Sequence, residues 1–439
     1  MGVRHLILTT LAFCMAHTAV GGPSSSGTDS YSVQDLTLCL YDYWAARIRS
    51  GLVDSEAQRD LARSVFHPSL VGTVSSKKDV LSNSATETTS DGKIGLAQTL
   101  LNLSQSSTIE AKERSHQAAQ SEMEDQLWGL MKAFLDQAQN LQIARAQSRI
   151  LAERIERTQR TVELMKELSQ FKVSSPSDVL NAQSDLAQLR ISDLENKLSV
   201  RNRALQIQAA LGMDLNREVN LNLGVPPKVE RSQAVWAKWV EQLPSLQALR
   251  SRSMAAQLEA KSADREWIPN LGVSATYNQE LAGYSNSTNP RGLVVEGVLT
   301  VPLYEQGTRY VRAQQARAQK DVLEARWESK RNEVSAEVHL LLEQIRTLEE
   351  SLEFAAQRES HIRKAYQAAW AGFSLGKSSF LNLKDVERGL SEAQFQRESL
   401  RIELQMKLHV LFNLELFRGG YTRSKLFADR KCKDLPRNN

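Results

Sequence analysis

Hydrophobic positions along this chain follow two different periods. Leu271, Val273, Ala275 and Tyr277 alternate with Gly272, Ser274, Thr276 and Asn278. After the polar stretch 284–290, Leu293, Val295, Leu299, Val301 and Leu303 alternate with Val294, Glu296, Val298 and Thr300. A period of two over roughly nine or ten residues predicts two strands, each with one apolar face and each the length of a tilted membrane strand. By alternation alone, a soluble hairpin half-buried on helices fits as well. A fainter copy lies at 93–100, where the larger apolar residues fall mostly on even positions. Turn-like Ser82-Asn83-Ser84 and Ser90-Asp91-Gly92 punctuate that region.

Elsewhere the period is helical. Residues 104–171 carry no Pro and only Gly129, and Ile150, Ile155, Val162, Leu164 and Met165 recur mostly at helical spacing among Arg, Glu and Gln. The pattern predicts one helix reaching roughly 100 Å, and coiled-coil-like packing of helices side by side. Residues 306–372 repeat it. Shorter return helices are expected at 177–212 and 378–415, a first helix at 34–65, a connector at 213–231 around Pro226-Pro227, and a helix at 232–265.

These elements occur twice. Phe66-His67-Pro68-Ser69-Leu70 and Trp267-Ile268-Pro269-Asn270-Leu271 open the two copies at an offset of 201, which also matches Thr99 with Thr300 and sets Leu211-Gly212-Met213-Asp214 opposite Phe412-Asn413-Leu414-Glu415. A repeat of this size makes each half a unit that cannot close its own surface. The offset maps even positions of the first hairpin onto odd positions of the second, so both copies set their apolar side on the same face.

Composition narrows the classes. Only 10 prolines and 21 glycines interrupt 439 residues, mostly in clusters, which favours long helices. A net charge of +4 without a dense basic, aromatic-interleaved run gives nucleic-acid binding no support. The start reads as an export signal: Arg4, an apolar core from Leu6 to Ala16, then small residues with cleavage expected after Ala19 or Gly21. No run of eighteen apolar residues exists for a membrane helix. Cys39 and Cys432 remain near the two ends of the mature chain. An exported protein can keep a bridge between them, and two free thiols are the alternative.

Two hairpins give four strands, which cannot close, and open sheet edges are not tolerated in lipid. If these strands cross a membrane the chain must oligomerise, and three copies of four strands would make a closed, even-numbered sheet of twelve. The order of elements, the aromatic-x-Pro-x-Leu entries, and the exit Val301-Pro302-Leu303-Tyr304-Glu305-Gln306-Gly307 resemble the outer-membrane efflux protein family, the TolC-like outer-membrane factors, over about residues 34–416. The resemblance implies a mainly α fold with membrane β: a long coiled-coil α-helical barrel and a transmembrane β-barrel, two repeats per protomer, closed as a homotrimer. It implies residence in the outer membrane with a large periplasmic part. The implied function is the exit duct of a tripartite efflux pump or type I secretion system, served by a periplasmic adaptor and an inner-membrane transporter of RND, ABC or MFS type. The chain then divides as signal 1–21, N-terminal segment and first helix 22–67, first hairpin 68–103, first long helix pair 104–212, connector and equatorial helices 213–267, second hairpin 268–304, second helix pair 305–416 and a basic tail 417–439. Pro68, Pro269, Pro302 and Gly307 mark the entries and exits of the hairpins.

The turns joining long to short helices are similar to the periplasmic tips where the family's tunnel closes. At the first, Ser175 or Ser177 can cap the next helix and Pro176 suits its first turn. At the second, Gly376 supplies a left-handed helix end. Asp178 matches the family's acidic tip residue. Its usual tyrosine and arginine partners are replaced by Phe373 and Ser378, with Lys377 as an adjacent substitute. The family's two lumen-facing carboxylates three apart read Asn382 and Asp385, leaving one carboxylate per protomer and a ring of three charges in a trimer. The expectation is a resting gate held by fewer polar links than usual. The plainer reading of Asp178 and Asp385 is charge stabilising a helix N-terminus.

Nothing points to an enzyme, a cofactor or a metal. The seven histidines are scattered, with no metal-binding helical pair. Glu153, Glu156, Glu324 and Glu328 fit solvated helix faces, and Trp128, Trp236, Trp239 and Trp327 fit packing. Tyr277, Tyr284 and Tyr304 fit interfacial aromatic belts. The alternative to a conduit is an exported coiled-coil scaffold whose hairpins mediate assembly.

Overall fold

A computed structural model describes residues 29–33, 36–37, 44, 48–79, 87–171, 174–211, 219–282, 292–303 and 307–418. The expected signal, Cys39, Cys432, Tyr284, Tyr304 and residues 419–439 of the tail lie outside the described residues. In chain order the elements are β1 (Asp29–Ser32), α1 (Ser50–Ser64), β2 (Ser69–Asp79), β3 (Glu87–Leu101), α2 (Leu103–Gln170), α3 (Pro176–Leu211), β4 (Val219–Asn222), α4 (Gln233–Trp239), α5 (Pro244–Asp264), β5 (Asn270–Ala282), β6 (Gly292–Thr300), α6 (Thr308–Ser374) and α7 (Phe380–Arg418).

Two helices dominate. α2 has 68 residues and α6 has 67, each about 100 Å long at 1.5 Å per residue. α2 starts where the Asn102 side chain accepts the Gln105 N–H at 2.9 Å. α6 starts at Gly307, whose φ of 75° favours glycine. Among the described residues no helix is long and apolar enough to cross a membrane.

The sheet is β2-β3-β5-β6, antiparallel throughout. Its register aligns Leu70 with Leu96, Leu96 with Ala275, and Ala275 with Val295. The next row on that face joins Gly72, Ile94, Tyr277 and Leu293. The row between them, Val71, Gly95, Thr276 and Val294, and the flanking rows with Thr73, Lys93 and Asn278 and with Ser274 and Glu296, lie on the opposite face. One face is therefore apolar, and the other mixes valines with Thr73, Lys93, Ser274, Asn278 and Glu296. Val295, Leu293, Leu70 and Ile94 are all more than half exposed.

The helices pack in a set order. α1 lies on α2, α5 lies between α2 and α6, and α7 touches both α2 and α6. One apolar cluster joins Leu127, Met131, Phe134, Ile207, Met406 and Phe417 to Val33, Leu36 and Trp44. A second gathers Trp236, Leu243, Leu246, Val338, Leu341 and Leu411. A third, at the tips, holds Val162, Met165, Ala182, Ala369, Phe373 and Leu383.

Several expectations need correction. The helix expected at 232–265 is broken: α4 ends at Trp239, a short 3-10 turn follows, and α5 starts at Pro244. A proline pushes its predecessor out of the helical region, and Leu243 has ψ 145°. Ser90-Asp91-Gly92 lies inside β3, paired with Ser76, Ser75 and Val74, rather than in a turn. Cross-strand pairing overrides the turn preference of those residues. The connector contains β4, which pairs in parallel with β1. α7 runs on to Arg418, so Phe417, placed in the tail, is a buried helix residue at 3% exposure. The offset between copies is 201 at the strand starts Ser69 and Asn270 but 204 at the helix ends Gln170 and Ser374.

Candidate functional site: the helix tips and the hairpin sheet

The hairpin entries repeat in detail. The His67 N–H donates to Ser64 O at 2.9 Å, and at the equivalent place the Ile268 N–H donates to Arg265 O at 3.0 Å. Pro68 and Pro269 follow at once, each directly before its strand, where a missing N–H costs no ladder bond. Pro302 lies just beyond β6, and Gly307 turns the chain into α6.

At the first tip, α3 begins at Pro176. The Ser175 hydroxyl accepts the Ser177 N–H at 3.3 Å, and Ser175 O accepts the Asp178 N–H at 3.1 Å. Asp178 sits half-buried in the first turn, where a carboxylate meets the positive end of the helix dipole. At the second tip the Lys377 N–H donates to Gly372 O at 2.8 Å and the Gly376 N–H to Phe373 O at 2.9 Å. With Gly376 at φ 69° this is the Schellman ending of α6. Ser379 then caps α7, its hydroxyl accepting the Asn382 N–H at 3.3 Å.

The expected gate residues divide into two groups. Phe373 is 6% exposed and belongs to the apolar tip core. A hydroxyl added there would need a buried partner. Ser378, Asn382 and Asp385 form a local set. The Asn382 amide donates to the Ser378 hydroxyl at 2.9 Å, and Arg388 donates to Asp385 at 3.2 Å. Lys377, Asn382 and Asp385 are exposed. Among the described residues no hydrogen bond or ion pair joins Asp178 to Phe373, Lys377 or Ser378 within the protomer. The link that crosses between the repeats here is Lys384 to Asp185 at 2.6 Å, joining α7 to α3.

Sequence reading missed two charged clusters behind the tips. Glu359 on α6 is 5% exposed and receives bonds from Arg363 and, at 2.8 Å, from Arg397 on α7. Burial alone would raise its carboxyl, but the bonds from Arg397 and Arg363 outweigh that and hold it below the ordinary range. Gly389 tightens the same helix pair, since a Cβ there would lie 3.0 Å from Ile362 Cδ1. The other cluster surrounds Glu387 between α7 and α2. Its one sequence signal is a carboxylate at a helical position flanked by the apolar Leu383 and Leu390.

A model of outer membrane efflux proteins matches residues 47–213 and 238–414. The chain belongs to the outer membrane efflux protein family. Solved channels share its fold. The outer-membrane channel OprN is 19% identical, with a TM-score of 0.72 over 89% of this chain and 91% of that one. VceC of Vibrio cholerae is 14% identical, with a TM-score of 0.76 over 89% and 98%. The open-state MtrE channel of Neisseria gonorrhoeae is 15% identical, with a TM-score of 0.72 over 92% and 94%. No curated protein sequence matches. Membership makes this an outer-membrane efflux channel with a large periplasmic helical part.

Proposed function

We propose that three copies of this chain close into one conduit, with a twelve-stranded barrel in the outer membrane and a helical tunnel below it. The carrying observation is that the protomer already contains one of two equivalent joints. Within the protomer β3 of the first hairpin pairs with β5 of the second, while β2 and β6 end the sheet. The equivalent joint, β6 to the β2 of a neighbour, is also antiparallel and would remove both edges. The helices repeat this logic. α5 bridges α2 and α6, whereas its counterpart α1 touches α2 and leaves Val53 and Leu61 over 60% exposed. A neighbour's α6, with Tyr310 and Val311 also over 60% exposed, is the matching surface. Ile191, Leu194 and Leu198 form an exposed apolar stripe on α3, and Leu340 and Phe354 are single exposed apolar side chains on α6. A stripe at helical spacing suits coiled-coil contact between protomers.

The apolar face of the sheet then meets lipid. Nine residues of β6 at about 3.3 Å each, tilted by about 40°, rise roughly 23 Å, close to the 25 Å apolar band of such barrels. Long helices of alternating charge suit a water-filled lumen. Cargo passes from an inner-membrane transporter through a periplasmic adaptor that opens the tips, as an efflux pump or a type I secretion duct. Asp178, Phe373, Lys377, Ser378, Asn382 and Asp385, with the turn residues Pro176 and Gly376, form the tip that opens. The deciding experiment is the location and native mass of detergent-extracted protein. Recovery with outer membranes at the mass of about three protomers supports the tunnel. A soluble monomer or dimer refutes it in favour of the scaffold.

A further inference from the structure

Glu387, buried as deeply as Glu359, lies at a contact between the repeats where its charge is poorly compensated. It lies on α7, two turns beyond the tip turn, at 5% exposure. From α2, the Thr158 hydroxyl donates to it at 3.2 Å, while Arg157 Nε lies 3.7 Å away, an ion pair too long for a hydrogen bond. Arg157 spends its contacts elsewhere. It donates to the Ser391 hydroxyl at 3.1 Å, approaches Glu153 at 3.6 Å, and lies 6.0 Å from the centre of the Tyr366 ring on α6. Arg157 Nε and Arg154 Nε are both buried without a hydrogen-bond acceptor. Asp185 faces the cluster from α3 and is tied to Lys384, while Arg388 on α7 turns to Asp385 and Glu392. The buried carboxylate thus has one hydroxyl bond and one long ion pair, beside two half-buried guanidiniums whose Nε–H groups lack acceptors.

The contrast with Glu359 is sharp. There two arginines donate directly to the carboxylate, and α6 and α7 are joined as one unit. A buried charge whose partners are badly placed does not recover its desolvation cost. Near the tip the two seams thus differ: α6 to α7 is well satisfied at Glu359, and α7 to α2 is not at Glu387, although two turns further back Arg149 on α2 donates to Glu398 on α7 at 3.0 Å.

We infer that the Glu387–Arg157–Arg154 cluster is a built-in release point, which eases the parting of the α6–α7 pair from α2 near the tip and is tightened by acid. The inference rests on the channel reading and identifies the seam that yields. Ionised Glu387 disfavours the packed seam, and parting lets water reach all three charges. Burial pushes the Glu387 carboxyl up, and the opposing effects of Arg157 and Thr158 do not cancel it. The packed state therefore holds the proton more tightly than a parted state with a hydrated carboxyl. Acidification above the ordinary carboxylate range of 4.5 favours the packed seam. The same sign holds for folding: this contribution is largest below the ordinary value and is lost as pH rises through the raised one.

The test is closed-state leak of the full-length protein in planar bilayers, measured from about pH 7.5 to about pH 5. Wild type should leak several-fold less at the acidic end. Glu387→Gln should leak as little at neutral pH as wild type does in acid, and should respond weakly to pH. Arg157→Met should leak more at neutral pH, because Glu387 loses its nearest cation, and should close more strongly on acidification. A rise in leak for Glu387→Gln, or a wild-type leak that is flat with pH, overturns the inference and leaves the channel intact. The wild-type titration needs no variant to fold. Absence of any wild-type conductance overturns the channel reading and this inference with it.

Discussion

Replacing Val295 by Arg tests the apolar sheet face directly. Val295 is the fourth of nine residues in β6 and 65% exposed, and it sits in a row with Ala275, Leu96 and Leu70. If that face meets lipid, Arg near the midplane costs about 2–4 kcal/mol per protomer, or roughly 6–12 kcal/mol in a trimer. That is comparable to the whole stability of many domains. The neighbouring Glu296 points to the opposite face, where Arg would meet water in the lumen. Glu296→Arg should therefore cost within about 0.5 kcal/mol, as a surface change does. Depth gives a third comparison, since Leu299 lies near the strand end and its Arg variant should cost about 0–1 kcal/mol. The assay is recovery of folded oligomer from outer membranes, followed by urea titration of the purified protein. The expected order of damage is Val295→Arg, then Leu299→Arg, then Glu296→Arg. Equal recovery of the Val295 and Glu296 variants would refute the lipid-facing assignment.

Three further predictions follow from single positions. Asn382→Asp would double the charge ring at the tip from one carboxylate per protomer to two; multivalent cations should then block conductance at lower concentration, and an unchanged block would mean that position 382 does not face the lumen. Gly376→Ala forces a side chain into φ 69°, at about 1–2 kcal/mol, and should speed amide exchange at the second tip without affecting the first. His409 is 1% exposed with Nε2 3.3 Å from Leu223 O, and burial lowers it below the ordinary 6.5 despite that bond. Its contribution is complete above 6.5 and fades as pH falls through the lowered value, so thermal stability should drop on acidification, and His409→Gln should flatten that part of the profile.

The legible parts of the fold were those set by local pattern. The alternation at 271–278 lies within β5, and the Pro-free run from 104 to 171 coincides with α2. Gly376 could be read as a left-handed helix end because few other residues tolerate that backbone. Long-range pairing was not legible. β1 and β4 are four residues each, too short to carry a period, and exist by pairing across nearly two hundred positions. The Pro244 break is masked in the pattern because Gln242 and Leu243 before it and Leu246 and Ala248 after it continue the helical composition. At the tip, the sequence names Phe373 and Ser378 but not their surroundings. Phe373 fills a core made by Met165 and Ala182 from the other repeat. The charged seams were hidden for the same reason. Glu359 and Glu387 look like any solvated helix carboxylate until the packing of α2, α6 and α7 decides which face turns inward.

That packing changes how the unusual tip should be understood. With Phe373 in an apolar core and Ser378 occupied by Asn382, the exposed end of the protomer carries little charge pairing between repeats beyond Lys384 and Asp185. That pair is partly solvated, and such pairs contribute at most about 1 kcal/mol. Cohesion between the repeats near the tip therefore comes mainly from apolar contacts of Val162, Met165, Ala182, Ala369, Phe373 and Leu383. Those contacts are nondirectional and tolerate sliding better than a bidentate ion pair. Directional bonds lie deeper, where Glu359 binds α6 to α7 and Glu387 binds α7 to α2 unequally. If the Glu387 cluster is the release point, separation starts along the α2–α7 contact at the tip and stops short of the Arg149–Glu398 bond.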